Sequence, residues 1–189
     1  MQCAVYVLTG GHSSRMGRDK ALLPFRGRFL VQHVAEQAER VTNCIMLIGK
    51  PNRYANLGYP VVEDIFPECG PLSGLHTALS ITESEWNVVM ACDMPEVTGE
   101  FLIQLTRRAE VGRAAAVVPV GPDGVPQPLC AAYRRRCADV VARALRNGVC
   151  KVTEALAGIE IDFWSVPHSG YFRNLNTPQD WASYSHDAS

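Results

Sequence analysis

The sequence has no apolar run near the about 18 residues that a membrane-crossing helix needs, which excludes a helical membrane protein. Nor does a basic segment precede the short apolar run at the N-terminus, so no secretory signal is expected and the protein is read as cytoplasmic. The seven cysteines, at positions 3, 44, 69, 92, 130, 137 and 150, are an odd number without a Cys-x-x-Cys pair. Neither a zinc site nor a disulfide framework is therefore expected, and the cysteines inside apolar stretches are read as small hydrophobes. Charge of neither sign dominates, with 18 Lys and Arg against 19 Asp and Glu. The run Arg134-Arg135-Arg136 has no interleaved aromatic platform, so nucleic acid is not an expected partner. Internal repeats and low-complexity linkers are also missing, which leaves one domain over 1–189 with a frayed tail at 185–189. Two common nucleotide signatures are absent as well: no Gly is followed at the right interval by Gly-Lys-Ser/Thr, and no Gly-x-Gly-x-x-Gly follows a strand.

What is present is concentrated in Val5 to Lys20, VYVLTGGHSSRMGRDK. Val5 to Leu8 is apolar and strand-favouring, and it runs into Gly10-Gly11, Ser13-Ser14 and Gly17 with cations at Arg15, Arg18 and Lys20. Glycines let backbone approach a phosphate, exposed N–H groups donate to it, and Arg and Lys supply charge. Between Gly10 and Arg28 lie Arg15, Arg18, Lys20, Arg26 and Arg28, with Asp19 as the one acid. So local an excess in a chain of net charge −1 reads as a triphosphate cradle.

The remaining pattern alternates strands and helices. Phe29 to Val41 has helical spacing, Cys44 to Ile48 and Trp86 to Ala91 are buried strands, and Val61-Val62 is a short strand delivering Glu63 and Asp64. Helices are expected over Glu100 to Glu110, capped by Thr98, over Cys137 to Arg146, and after Gly70-Pro71-Leu72-Ser73-Gly74 from Leu75 to Ile81. Further strands fall at Ala114 to Val120, Leu129 to Tyr133 and Ile159 to Val166. Five or six βα units with helices on both faces give a three-layer α/β/α, doubly wound, mostly parallel sheet of Rossmann-like type. In such a sheet ligands sit beyond the carboxyl ends of strands, where Asp64 and Asp93 both fall. Asp93 suits Mg²⁺, a hard ion held by one or two carboxylates plus substrate phosphates. Thr177, Pro178 and Asp180 read as a helix cap that needs no ligand.

The run Leu8-Thr9-Gly10-Gly11-x-Ser-x-Arg15-Met16-Gly17-x-Asp19-Lys20 resembles the signature loop of the molybdenum cofactor guanylyltransferases, within the wider nucleotidyltransferases. Later segments resemble that family in the same order: Glu63-Asp64, Gly70 to Gly74, Cys92-Asp93-Met94-Pro95, Gln127-Pro128-Leu129 and Asn174-Leu175-Asn176-Thr177-Pro178. The resemblance implies transfer of GMP from GTP to molybdenum-bound molybdopterin with release of pyrophosphate. It implies Arg15, Lys20 and Asp93 as catalytic residues, with Mg²⁺ on Asp93. Nucleotide contacts would come from Leu8, Thr9, Gly10, Gly11, Lys20, Asp64, Gly70, Pro71, Leu72 and Asp93, and acceptor contacts from Asn174 and Asn176. Other cofactor-biosynthesis or acceptor proteins are possible partners by the same resemblance.

One departure stands out: better-known members carry Asn at the end of the second strand, where this chain has Gly49. A base or ribose contact there must come from elsewhere, with Lys50 and Asn52 the nearest candidates. Three alternatives stay open: a CTP-using relative, a sugar-1-phosphate nucleotidyltransferase, and a nucleotide-binding regulator without turnover. His12 and His76 lie in the two glycine-rich segments. Neither is expected to be a catalytic base, because a phosphate monoester acceptor is already an anion at neutral pH.

Overall fold

The computed structural model describes residues 3–9, 19–66, 69–168, 170–175, 177, 179–181 and 184. In chain order the strands are β1 Cys3–Leu8, β2 Pro24–Phe25, β3 Arg28–Phe29, β4 Ile45–Ile48, β5 Val61–Val62, β6 Trp86–Ala91, β7 Ala116–Val120, β8 Cys130–Arg134 and β9 Ile161–Ser165. The helices are α1 Leu30–Ala38, α2 Pro51–Tyr54, α3 Pro71–Ile81, α4 Gly99–Val111, α5 Ala138–Arg146 and α6 Val152–Ala155. Seven strands form one sheet in the order β5-β4-β1-β6-β8-β7-β9, while β2 and β3 make a separate hairpin.

Alternation along β1 divides the interior in two, since successive side chains of a strand point to opposite faces. Val5 and Val7 pack with Val31, Val34 and Ala35 of α1 and with Phe101, Leu102 and Leu105 of α4. Tyr6 and Leu8 pack with Leu72, Leu75 and Leu79 of α3 and with Val141 and Leu145 of α5. Two helical layers on one sheet are the expected three-layer architecture. Thr98 caps α4 as expected, its side chain accepting from the Phe101 N–H at 3.2 Å.

The structure differs from the expected pattern in four places. β8 lies antiparallel to both β6 and β7. An apolar run buried on both faces carries no sign of direction, so the reversal had no local signal. The Gly70 to Gly74 segment does not precede α3 but starts it: Gly70 is the N-cap at φ +56° and Pro71 the first helical residue, the position proline favours. The β2–β3 hairpin, turning at Arg26-Gly27 with φ +46° and +81°, has no counterpart in the expected pattern. Finally, Cys69 and Cys150 are joined in a disulfide across 81 positions, against the expectation of free cysteines. The other described cysteines are free, and four of those five are buried.

From β1 the chain moves outward to β4 and β5, then returns to β6 on the other side of β1. The order therefore reverses between β1 and β6, where open α/β sheets hold their ligands.

Candidate active site

Strand register puts the site residues on one line. Leu8 pairs with Ile48 on one side and Ala91 on the other, and Ile48 pairs with Val62. The next residue on each strand is consequently Thr9, Gly49, Cys92 and Glu63, at one sheet edge. Backbone bonds carry the ladder one step further, with Thr9 N–H donating to Ile48 O at 3.0 Å, Gly49 N–H to Val62 O at 2.8 Å and Cys92 N–H to Leu8 O at 3.1 Å.

Asp93 stands at the exit of β6, opposite Lys20. Lys20 opens a single 3₁₀ turn, Lys20–Leu22, whose N-cap is Asp19: its Oδ1 accepts from the Ala21 N–H at 3.1 Å. Ala21 is fully buried and pins the turn to the core. Lys20 Nζ lies 3.4 Å from Asp93 Oδ2, with side-chain exposures of 17% and 22%. That separation exceeds the about 2.7–2.9 Å of a tight charge-assisted bond, so the pair is loose. Beneath it, burial and the neighbouring Asp93 carboxylate push the Cys92 thiol well up. Cys92 is thus an inert floor rather than a nucleophile.

On the other flank, the Asp64 carboxylate is held on α3. Thr77 Oγ1 donates to Asp64 Oδ1 at 3.5 Å and accepts from the Ile65 N–H at 3.0 Å, while Ser73 Oγ accepts from the Phe66 N–H at 3.2 Å. Burial raises the Asp64 pKa above the ordinary carboxylate value, the hydroxyls of Thr77 and Ser73 working the other way. Leu72 is fully buried, backbone included, and packs into the core on that face of the sheet. A Cβ on Gly74 would come within 2.8 Å of Leu8 Cδ2, which is how closely α3 sits on β1.

The C-terminal segment reaches the same edge. Leu175 N–H donates to the Asp93 carbonyl at 3.0 Å. The neighbouring Asn174 Oδ1 is buried with no hydrogen-bond partner among the described residues. Thr177 and Asp180 cap each other as expected, Thr177 N–H to Asp180 Oδ2 at 2.8 Å and Asp180 N–H to Thr177 Oγ1 at 3.1 Å. Of the expected site residues, Gly10, Gly11, Arg15 and Asn176 lie outside the described residues, as does His12. Leu8, Thr9, Lys20, Asp64, Gly70, Pro71, Leu72, Asp93 and Asn174 are brought to the carboxyl edge of the sheet.

Gly49 is explained by what surrounds it. A Cβ there would lie 1.9 Å from Thr9 Oγ1 and 2.8 Å from Tyr54 Cε2, so the Thr9 hydroxyl first, and the tyrosine ring beside it, take the room a larger residue would need. Lys50 and Asn52, the candidates to replace it, are both exposed. Sequence reading missed Tyr54 altogether and gave Asp19, the one acid among the loop cations and part of the signature run, no role of its own. An Asp directly before a short turn is a capping signal that could have been used; Tyr54 carries no local signal.

The family model for the MobA-like NTP transferase domain matches residues 5–159. The chain belongs to this family. A probable molybdenum cofactor guanylyltransferase of Carboxydothermus hydrogenoformans is 32% identical over 187 residues, 94% of this chain and 92% of that protein. One from Trichormus variabilis is 34% identical over 182 residues, covering 93% and 87%. Among solved structures, molybdopterin-guanine dinucleotide biosynthesis protein A of Archaeoglobus fulgidus superposes with a TM-score of 0.84 at 26% identity, covering 98% of each chain. The 2-C-methyl-D-erythritol 4-phosphate cytidylyltransferase of Thermus thermophilus shares the fold, with a TM-score of 0.74 at 16% identity over 97% of each. The mixed sheet with β8 reversed is thus the nucleotidyltransferase fold.

Proposed function

We propose that the protein transfers GMP from GTP to molybdenum-bound molybdopterin, giving the guanine dinucleotide cofactor and pyrophosphate. The observation that carries this reading is the loose Lys20–Asp93 pair at the switch point between β1 and β6. Here an acceptor phosphate oxygen bonds to the α-phosphorus of GTP as the bond to pyrophosphate breaks. Both partners are anions, so neutralising charge while keeping attack and departure in line is most of the work. Lys20 holds triphosphate oxygens, joined by Arg15, and the Leu8 to Gly11 backbone with Thr9 seats the nucleotide. Asp64, with Gly70 and Pro71, takes the nucleoside end, and Leu72 supports them from the core. Asn174 Oδ1, buried beside the Asp93 backbone, accepts from the pterin, with Asn176 nearby in sequence.

This chemistry calls for a divalent cation, and the donors fit one that takes most of its ligands from substrate. Among the described residues no three His, Cys, Asp or Glu side chains are grouped to cage a metal, whereas Asp93 offers a partly exposed carboxylate with the Lys20 contact on Oδ2. That suits Mg²⁺, which keeps water and phosphate ligands. When bound on Asp93 it would neutralise phosphate charge that Lys20 alone leaves uncovered. No described helix is long and apolar enough to cross a membrane, and the reading is of a cytoplasmic enzyme.

The test is pyrophosphate and dinucleotide formation from labelled GTP with Mg²⁺ and molybdenum-loaded molybdopterin. Turnover with GTP, and far less with CTP, supports the proposal. Turnover only with CTP, only with a sugar 1-phosphate acceptor, or binding without turnover would each replace it by one of the three alternatives. The rate should rise through about pH 6 with the acceptor phosphate's own ionisation, and His76→Gln should keep that profile.

A further inference from the structure

The geometry points to Tyr54 as a positioning residue for the phosphate-binding lysine, acting through Asp19. This rests on the reading that Lys20 holds triphosphate oxygens. Lys20 sits on an isolated turn of three residues, too short to be held by its own hydrogen bonds. Ala21 anchors it to the core from below, and its N-terminal end, where Lys20 leaves, is held by its cap. Asp19 uses Oδ1 for the Ala21 N–H, and Oδ2 accepts from the Tyr54 hydroxyl at 2.7 Å and from Arg53 Nη1 at 3.3 Å. The carboxylate is therefore a hinge pin: one oxygen grips the lysine turn, the other is fixed to α2.

Of the two donors, Tyr54 carries the fixing. Arg53 is 56% exposed and its contact is long, and exposed ion pairs of that kind contribute little. Tyr54 is buried at 4% exposure, its ring edge 2.8 Å from where a Cβ on residue 49 would lie, next to the Thr9 hydroxyl. Burial, then the bond to Asp19, push its phenol up out of reach of ordinary pH, so the hydroxyl stays a donor. Residue 49, lacking a side chain, admits the ring, the ring delivers the hydroxyl to Asp19, and Asp19 sets the turn that aims Lys20 at Asp93. With Oδ2 taking two donors and Oδ1 a third, Asp19 serves the turn rather than a metal.

The test is a set of binding and rate measurements on the full chain with GTP, guanosine and Mg²⁺, comparing Tyr54→Phe, Asp19→Asn, Lys20→Ala and the Tyr54→Phe/Lys20→Ala double variant. Tyr54→Phe keeps the ring and should weaken GTP binding about tenfold while leaving guanosine affinity unchanged. Asp19→Asn keeps the cap oxygen but removes the charge, and its amide can hold Tyr54 only if the phenol turns round to accept; it should weaken GTP in the same direction and by less, so the link is tested even if one variant folds poorly. In the Lys20→Ala background the Tyr54→Phe change should cost nothing further, because the residue it acts through is gone. A Tyr54→Phe penalty that persists undiminished without Lys20, or that falls equally on guanosine, overturns the inference. Lys20→Ala with undiminished GTP binding would instead overturn the phosphate reading, and the inference with it.

Discussion

The two flanks of the site are built differently. On the Lys20–Asp93 flank, opposite charges face each other across a loose 3.4 Å gap and are held from behind by Asp19 and Tyr54. On the Asp64 flank, hydroxyls of Ser73 and Thr77 tie a loop to α3, and α3 is seated on β1 at near contact through Gly74. One flank keeps charge available; the other spends its polar groups on fixing shape. That division matches a ligand with a highly charged triphosphate at one end and an uncharged nucleoside at the other. It also says which substitutions should act on charge and which on fit.

The sharpest way to break the contrast is Asp93→Asn. If that carboxylate holds the metal, turnover should fall by at least about a hundredfold, with the cooperative unfolding transition retained. Near-normal activity at limiting Mg²⁺ would move the metal elsewhere. Next in size is Lys20→Ala, which should weaken GTP by about ten- to a hundredfold, as losing a bond to a charged group of roughly 1.5–3 kcal/mol implies, and leave guanosine untouched. Equal loss for both ligands would mean that the flank reads the nucleoside and that the two sides are not distinct.

Gly49→Asn sharpens the boundary between the flanks. The Asn that the resemblance leads one to expect there should not add a contact here, because its Cβ would meet Thr9 Oγ1 at 1.9 Å and the Tyr54 ring at 2.8 Å. Displacing the ring strains the core by about 1–3 kcal/mol, as overpacking does, and releases Asp19. Urea denaturation should show the destabilisation, and GTP binding should weaken along with it. A variant that is as stable as the parent and binds GTP more tightly would show that the tyrosine is not filling that place.

How much of this could be read from residues alone follows from the range of the interactions involved. The strand β1, the strands leading to Asp64 and Asp93, and the caps at Thr98 and Thr177 were legible because each is set by neighbours within a few positions. The reversal of β8 was not, since strand direction is settled by pairing with β6 and β7. The Cys69–Cys150 link spans 81 positions, and pairing cannot be deduced from cysteine spacing. Tyr54 was invisible for a related reason: its partner Asp19 is 35 residues away. The glycine in place of the family Asn looked like a lost contact in sequence, whereas in three dimensions it is the space that lets Tyr54 in.

The smallest expected effect is on pH, and it tests whether Asp64 belongs to the shape-fixing flank. Burial holds the Asp64 carboxyl above its ordinary value of 3.8, with the adjacent Glu63 adding to the shift and the hydroxyls of Thr77 and Ser73 opposing it. In the acid range between the unfolded and folded pKa values, the native protein therefore binds more protons at this site than the unfolded chain does. Stability contributed by the site falls as pH rises through that window. Asp64→Asn has no proton to lose. Its stability relative to the parent should thus be lowest below the unfolded value, climb as pH rises through the folded one, and level off above it. Denaturant midpoints of both proteins across the acid range would show this as a difference in slope. If the parent instead gains on the variant as pH rises, the ionised carboxylate is the form the fold prefers, and Asp64 belongs with the charged flank rather than with α3. Guanosine binding to the same variant then fixes the second half of the contrast. A loss shared equally by guanosine and GTP places Asp64 at the nucleoside, and a loss confined to GTP places it at the phosphates.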